Sequence, residues 1–87
     1  MTRCIACPAR AVHLHHVVTR QEIRRRGGDE GDPRNLIPLC LRCHGRHHSA
    51  FTRIPARLLP AGVRDFMEEL MGPYAPDYLA RYYPTGV

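Results

Sequence analysis

Lysine is absent, and so is any long apolar run. No window approaches the roughly 18 apolar residues that a membrane span requires, so a membrane partner is not expected. The N-terminus reads MTRCIACPAR, without the apolar stretch of a secretory leader. A reducing cytoplasm is therefore the expected compartment. Internal repeats longer than a knuckle and low-complexity tracts are also missing, which argues against a solenoid or a disordered tail. Bulk is scarce too: at 87 residues, a hydrophobic core alone supplies only about 3–5 kcal/mol. Some additional staple is needed.

The staple is visible as two C-x-x-C pairs, Cys4 with Cys7 and Cys40 with Cys43. A disulfide framework suits a secreted chain, whereas paired knuckles in a reducing compartment suit a metal. Four thiolates from two knuckles can surround one Zn²⁺ tetrahedrally. The expected structural zinc is thus held by Cys4, Cys7, Cys40 and Cys43, and its binding energy is folding energy. Such an ion is coordinatively closed, with no place for a catalytic water, and by itself implies no enzyme. The interval between the knuckles is long enough to hold an inserted substructure.

Positive charge is carried by thirteen arginines, for a net charge of +5. Arginine presents a planar fork to phosphate, so a polyanionic partner fits, although a codon bias toward arginine and a merely solvated face fit as well.

The coarse structure follows from pattern. Ala11–Val18, AVHLHHVV, alternates and is rich in valine, which predicts a strand or hairpin arm. Thr19 and Glu22 have capping-box spacing and should open a short helix ending near Gly27-Gly28. GGDEGDPR, residues 27–34, is predicted to be a mobile loop. NLIPL, residues 35–39, is predicted to be extended and to lead into a helix over about Cys43–Thr52. Val63, Phe66, Met67, Leu70 and Met71 recur with helical period between Pro60 and Gly72, and this stripe is core. A last short helix over Pro76–Tyr83 is expected to turn Tyr78, Leu79 and Tyr82 inward.

The stretch LCLRCHGRHHSA places three histidines directly after the second knuckle. One tetrahedral ion cannot use all five ligands. His44 and His48 are four apart and share a helical face, while His47 lies about 100° out of phase. On the strand, His13 and His15 share one face and His16 points to the other. If His15 turns toward His44 and His48, three nitrogens converge and coordination positions stay open. Taken singly, each histidine is more often an ordinary surface or core residue.

The order LHHVV, then Asn35, then CLRCHGRHH resembles the HNH endonuclease family over roughly Cys4 to Ser49. That resemblance implies an α+β fold with a small ββα-metal, treble-clef-like core stapled by zinc; it does not extend to the additional C-terminal helices, which rest on the helical pattern above. The expected organisation is a core over residues 1–53 and a helical extension over 54–87, packed together as one domain. It further implies His16 as general base, His15, His44 and His48 as ligands of a catalytic divalent metal, and Asn35 as the residue that braces the hairpin loop and orients His16. Many members carry Asp where His15 stands. An imidazole there softens the site, so Mn²⁺, Ni²⁺, Co²⁺ or Zn²⁺ should bind more readily than Mg²⁺.

The activity so implied is metal-dependent hydrolysis of DNA, by nicking or double-strand cutting, leaving 5′-phosphate and 3′-hydroxyl ends. A bacterial or phage-infected cell is the expected setting. Arg24, Arg25, Arg26, Arg42 and Arg46 are the candidate phosphate contacts. No element reads as a major-groove recognition helix, so weak or shape-based preference is expected. Two other readings compete: a non-catalytic zinc module that binds nucleic acid, and an adaptor whose C-terminal helices dock a protein partner such as a phage packaging component.

Overall fold

The chain leaves its first knuckle as an extended segment and returns to the second as another, and the two pair. The computed structural model describes residues 2–49 and 52–84. Strand β1 (His13–His16) pairs antiparallel with β2 (Leu36–Leu39), with His15 opposite Ile37 and His13 opposite Leu39. Pro38 lacks an N–H, but its carbonyl accepts from Ile5 N at 3.0 Å. The first knuckle thereby covers the outer edge of β2.

Helix α1 (Arg20–Arg25) opens as its sequence predicts: the Thr19 hydroxyl accepts from Glu22 N, and the chain turns away through Gly27 at φ 73°. A 3₁₀ turn over Pro33–Asn35 then feeds β2. Helix α2 (Leu41–His48) begins two residues earlier than expected because the Cys40 sulfur serves as its N-cap, accepting from Cys43 N. It also ends before the expected Thr52. Thr52 N returns to Arg46 O and Ile54 N donates to His47 Nδ1, which turns Ile54 into the core instead of continuing the helix. Residues 50 and 51 of the expected helix lie outside the described residues.

Helix α3 (Ala61–Met71) runs between Pro60 and Gly72 as expected, and buries Val63, Phe66, Met67 and Met71, with Leu70 half-buried. Helix α4 (Ala75–Tyr82) starts one residue earlier than expected and leaves Tyr83 outside it in extended conformation. Leu79 is buried and Tyr78 and Tyr82 pack half-buried against the core as expected, but Tyr83 is buried more deeply than either tyrosine.

One apolar cluster joins Val17, Val18, Ile23, Ile37 and Leu39 to Val63, Phe66, Met67, Leu79 and Tyr83. Each such side chain contributes about 1.5–3 kcal/mol on full burial. Arg34 fastens α3 from the polar side: it pairs with Asp32 at 2.8 Å and with Glu69, and its guanidinium lies 5.6 Å from the Phe66 ring centroid. The architecture is small α+β, a two-stranded sheet with helices. No helix among the described residues is long and apolar enough to cross a membrane.

Candidate metal centres and active site

The two knuckles meet at one point. The sulfurs of Cys4, Cys7, Cys40 and Cys43 all lie within 4.8 Å of one another, and Cys7 and Cys40 are 3.6 Å apart. Sulfurs about 2.3 Å from one tetrahedral ion stand about 3.8 Å apart, so this donor set fits zinc. All four thiols are free. Donation from the Cys43 amide pulls the Cys40 thiol down to about 6, whereas burial pushes the Cys43 thiol up to about 12, so Cys40 is the first of the pair to offer the thiolate a metal needs.

A second cluster lies on the face where β1 meets α2. One ring nitrogen from each of His15, His44 and His48 falls within 4.8 Å of the others. The helical spacing brings His44 and His48 together, Nε2 to Nε2 at 3.0 Å. Two nitrogens about 2.1 Å from one ion stand about 3.0 Å apart at a right angle, so this pair also fits a shared cation. β1 brings His15 across, its ring centroid 5.1 Å from that of His44 and 5.4 Å from that of His48. Burial, reinforced by the neighbouring histidines, lowers the His15 pKa to about 3. Burial also lowers His44, with His48 and His13 adding to the effect. Both rings are therefore neutral at pH 7, as ligands must be. His47 stays out of this trio, as its phase on the helix requires. It is buried, stacked on Tyr83 with centroids 4.8 Å apart, and takes its hydrogen bond from Ile54 N.

His16 borders the same cavity of about 290 Å³, with His15, His44, His48, Thr19 and Arg20. Its Nε2 lies 3.2 Å from the Glu30 carbonyl oxygen. A carbonyl only accepts, so Nε2 carries the proton and Nδ1 keeps the lone pair. Asn35 acts nearby, on Val18: its Oδ1 accepts from Val18 N at 2.8 Å and its Nδ2 donates to Val18 O at 3.0 Å. The hydrogen bond on the His16 ring thus comes from the 27–34 loop, while Asn35 secures the chain two residues beyond it.

A profile of the HNH endonuclease family matches residues 4–50, more than half of the chain. The chain belongs to the HNH endonuclease family. Its members are generally nucleases, which gives this HNH protein a nuclease-type function and a nucleic-acid substrate. Searches of curated proteins and of solved structures returned no match.

The arginines divide sharply. Arg24 is bonded to Glu30 at 2.9 Å, and Arg25 and Arg26 reach Glu22 at 3.2 and 3.4 Å. The three arginines of this triple share two acids, Glu22 and Glu30, which offset part of their charge. Arg42 and Arg46 lie exposed on α2, where they line a cleft of about 320 Å³ with Arg53 and Arg57 beside Cys7 and Cys43. Arg20 borders the histidine cavity and makes no ion pair among the described residues. It was not singled out by sequence, although its place one residue past the Thr19 cap, two residues after LHHVV, was a usable signal. His13 was singled out only by strand face. Its Nδ1 is 3.1 Å from His44 Nδ1. Nothing local pointed to Tyr83 or to the Glu30 carbonyl.

Proposed function

We propose that this HNH protein hydrolyses DNA phosphodiester bonds, with His15, His44 and His48 holding one divalent cation and His16 acting as general base. The observation that carries the reading is the convergence of three imidazoles on the wall of a cavity that His16 also borders. A divalent cation held by His15, His44 and His48 would supply Lewis acidity and offset the negative charge that develops on the phosphodiester. Imidazole ligands favour Mn²⁺, Ni²⁺, Co²⁺ or Zn²⁺ over Mg²⁺. The four cysteines hold a separate structural zinc.

His16 accepts a proton from water at Nδ1, because its Nε2–H is engaged by the Glu30 carbonyl. The water oxygen attacks phosphorus in line with the 3′-oxygen, whose bond to phosphorus breaks; the departing 3′-oxygen takes a proton from solvent and His16 returns its own to solvent, leaving 5′-phosphate and 3′-hydroxyl ends. Arg24 secures the Glu30 side chain and so steadies the loop that supplies this carbonyl. Asn35 holds the backbone after β1, keeping the base from rotating with a loose chain. His13 accepts from His44 Nδ1–H, which leaves His44 Nε2 for the cation. Arg20 is placed to contact the scissile phosphate, and Arg42 and Arg46 to contact flanking phosphates. Free thiols and a DNA substrate suit the cytoplasm of a bacterial or phage-infected cell.

Supercoiled plasmid incubated with the zinc-loaded protein and added Mn²⁺ or Ni²⁺ should be nicked or linearised. His16→Ala should abolish this while zinc content and circular dichroism persist. A wild-type protein inert with every one of these ions would overturn the reading and leave a zinc-stapled nucleic-acid-binding module.

A further inference from the structure

The ligand reading leaves one buried polar side chain without a role. Tyr83 is 1% exposed, and its hydroxyl stands 2.9 Å from His15 Nε2 and 3.2 Å from the Val17 carbonyl oxygen. It is held from several sides. Its ring stacks on His47, its amide donates to Leu79 O at 2.7 Å, and the adjacent Pro84 carbonyl accepts from Ala56 N at 2.9 Å.

A phenol has one proton to give. The Val17 carbonyl can only accept, belongs to a residue 3% exposed, and has no other hydrogen-bond donor among the described residues. Giving that proton to His15 would strand a buried carbonyl, at a cost of about 1–3 kcal/mol. The proton therefore goes to Val17, and the phenolic oxygen faces His15 with its lone pairs. His15 Nε2 must then carry hydrogen. A neutral imidazole has only one N–H, so the lone pair of His15 sits on Nδ1.

We propose that Tyr83 is a positioning residue whose hydroxyl holds His15 in the Nε2–H tautomer, so that Nδ1 is the nitrogen presented to the divalent cation. The proposal rests on the reading of His15, His44 and His48 as ligands. It gives the segment beyond the family match, which ends at residue 50, a direct part in shaping the nuclease centre. The two helix histidines meet through Nε2, and with Nε2 of His15 engaged by Tyr83, Nδ1 is the nitrogen His15 has left to join them.

The test uses the full chain loaded with structural zinc. Two-bond nitrogen–proton correlation spectra of its imidazoles, recorded without added metal, should show His15 protonated at Nε2. Calorimetric titration should show one further equivalent of Ni²⁺ bound. In Tyr83→Phe, which keeps the ring on His47, the His15 proton should redistribute toward Nδ1. Ni²⁺ affinity should fall about ten- to a hundredfold, with zinc content unchanged. A purely packing role would lower the melting temperature and leave the tautomer alone. If Tyr83→Phe does not fold, fluorotyrosine incorporation into the wild-type sequence replaces it. Weakening the phenol as an acceptor should then move the His15 nitrogen resonances more than those of any other histidine. His15 protonated at Nδ1 in the wild type, or an unaltered tautomer and Ni²⁺ affinity in the variant, would overturn the proposal. Failure of the wild type to take up a second metal would instead strike the ligand assignment, and the tautomer measured without metal would still decide whether Tyr83 controls His15.

Discussion

Replacing Asn35 by alanine is the sharpest probe of how the base is held. The side chain is fully buried and makes two hydrogen bonds, both to the backbone of Val18, itself 0% exposed. Truncation removes both partners and leaves a buried N–H and a buried C=O without a substitute among the described residues. At about 1–3 kcal/mol for each stranded group, Asn35→Ala should cost about 2–6 kcal/mol. A domain of this size has a total stability near the lower end of about 5–15 kcal/mol. The variant should therefore unfold at far lower denaturant, and remain folded at 25 °C mainly through its zinc. Urea unfolding at fixed zinc, followed by far-ultraviolet circular dichroism, measures the change directly. Asn35→Asp is the informative partner variant, since it keeps the acceptor for Val18 N but can donate to Val18 O only when protonated. Its deficit should shrink as pH falls. An alanine variant within about 0.5 kcal/mol of wild type would refute the account of Asn35 as the clamp behind β1.

Chelation of zinc by a strong chelator should abolish the cooperative thermal transition, because four thiolates join both ends of the β1–β2 unit; a chelated protein with an unchanged melting curve contradicts this. Arg20→Ala should weaken DNA binding and reduce the salt slope by about one phosphate contact, whereas Arg25→Ala should change little because Arg25 already faces Glu22. Fluorescence anisotropy against salt concentration separates the two. Burial lowers His15 to about 3 and His47 to about 4, while both titrate near 6.5 when unfolded. Below about pH 6.5 the unfolded chain thus takes up protons that the folded chain refuses. Stability is full above that pH and is lost progressively toward pH 4, so a melting temperature flat from pH 7 to 5 would count against these buried neutral rings. His13→Ala should weaken Ni²⁺ binding about tenfold by freeing His44 Nδ1, with zinc content as the control.

The features legible from sequence were those that depend on short-range geometry. C-x-x-C is a knuckle wherever it occurs, His44 and His48 share a face because a helix repeats every 3.6 residues, and Thr19, Pro60 and Gly72 punctuate helices through local backbone chemistry. Even so, α2 began at Leu41 and not Cys43, because a sulfur of the four-cysteine cluster doubled as a cap.

Tertiary structure decided which nitrogen and which partner. Tyr83 meets His15 across 68 residues, and Glu30 reaches His16 through a loop with no periodicity to read. Glu22 and Glu30 offset part of the charge of the triple Arg24–Arg26, whereas Arg20 makes no ion pair among the described residues. Local spacing sets the direction in which a side chain leaves the backbone. Its protonated atom and its neighbours are set by packing, which brings together groups whose positions along the chain are unrelated.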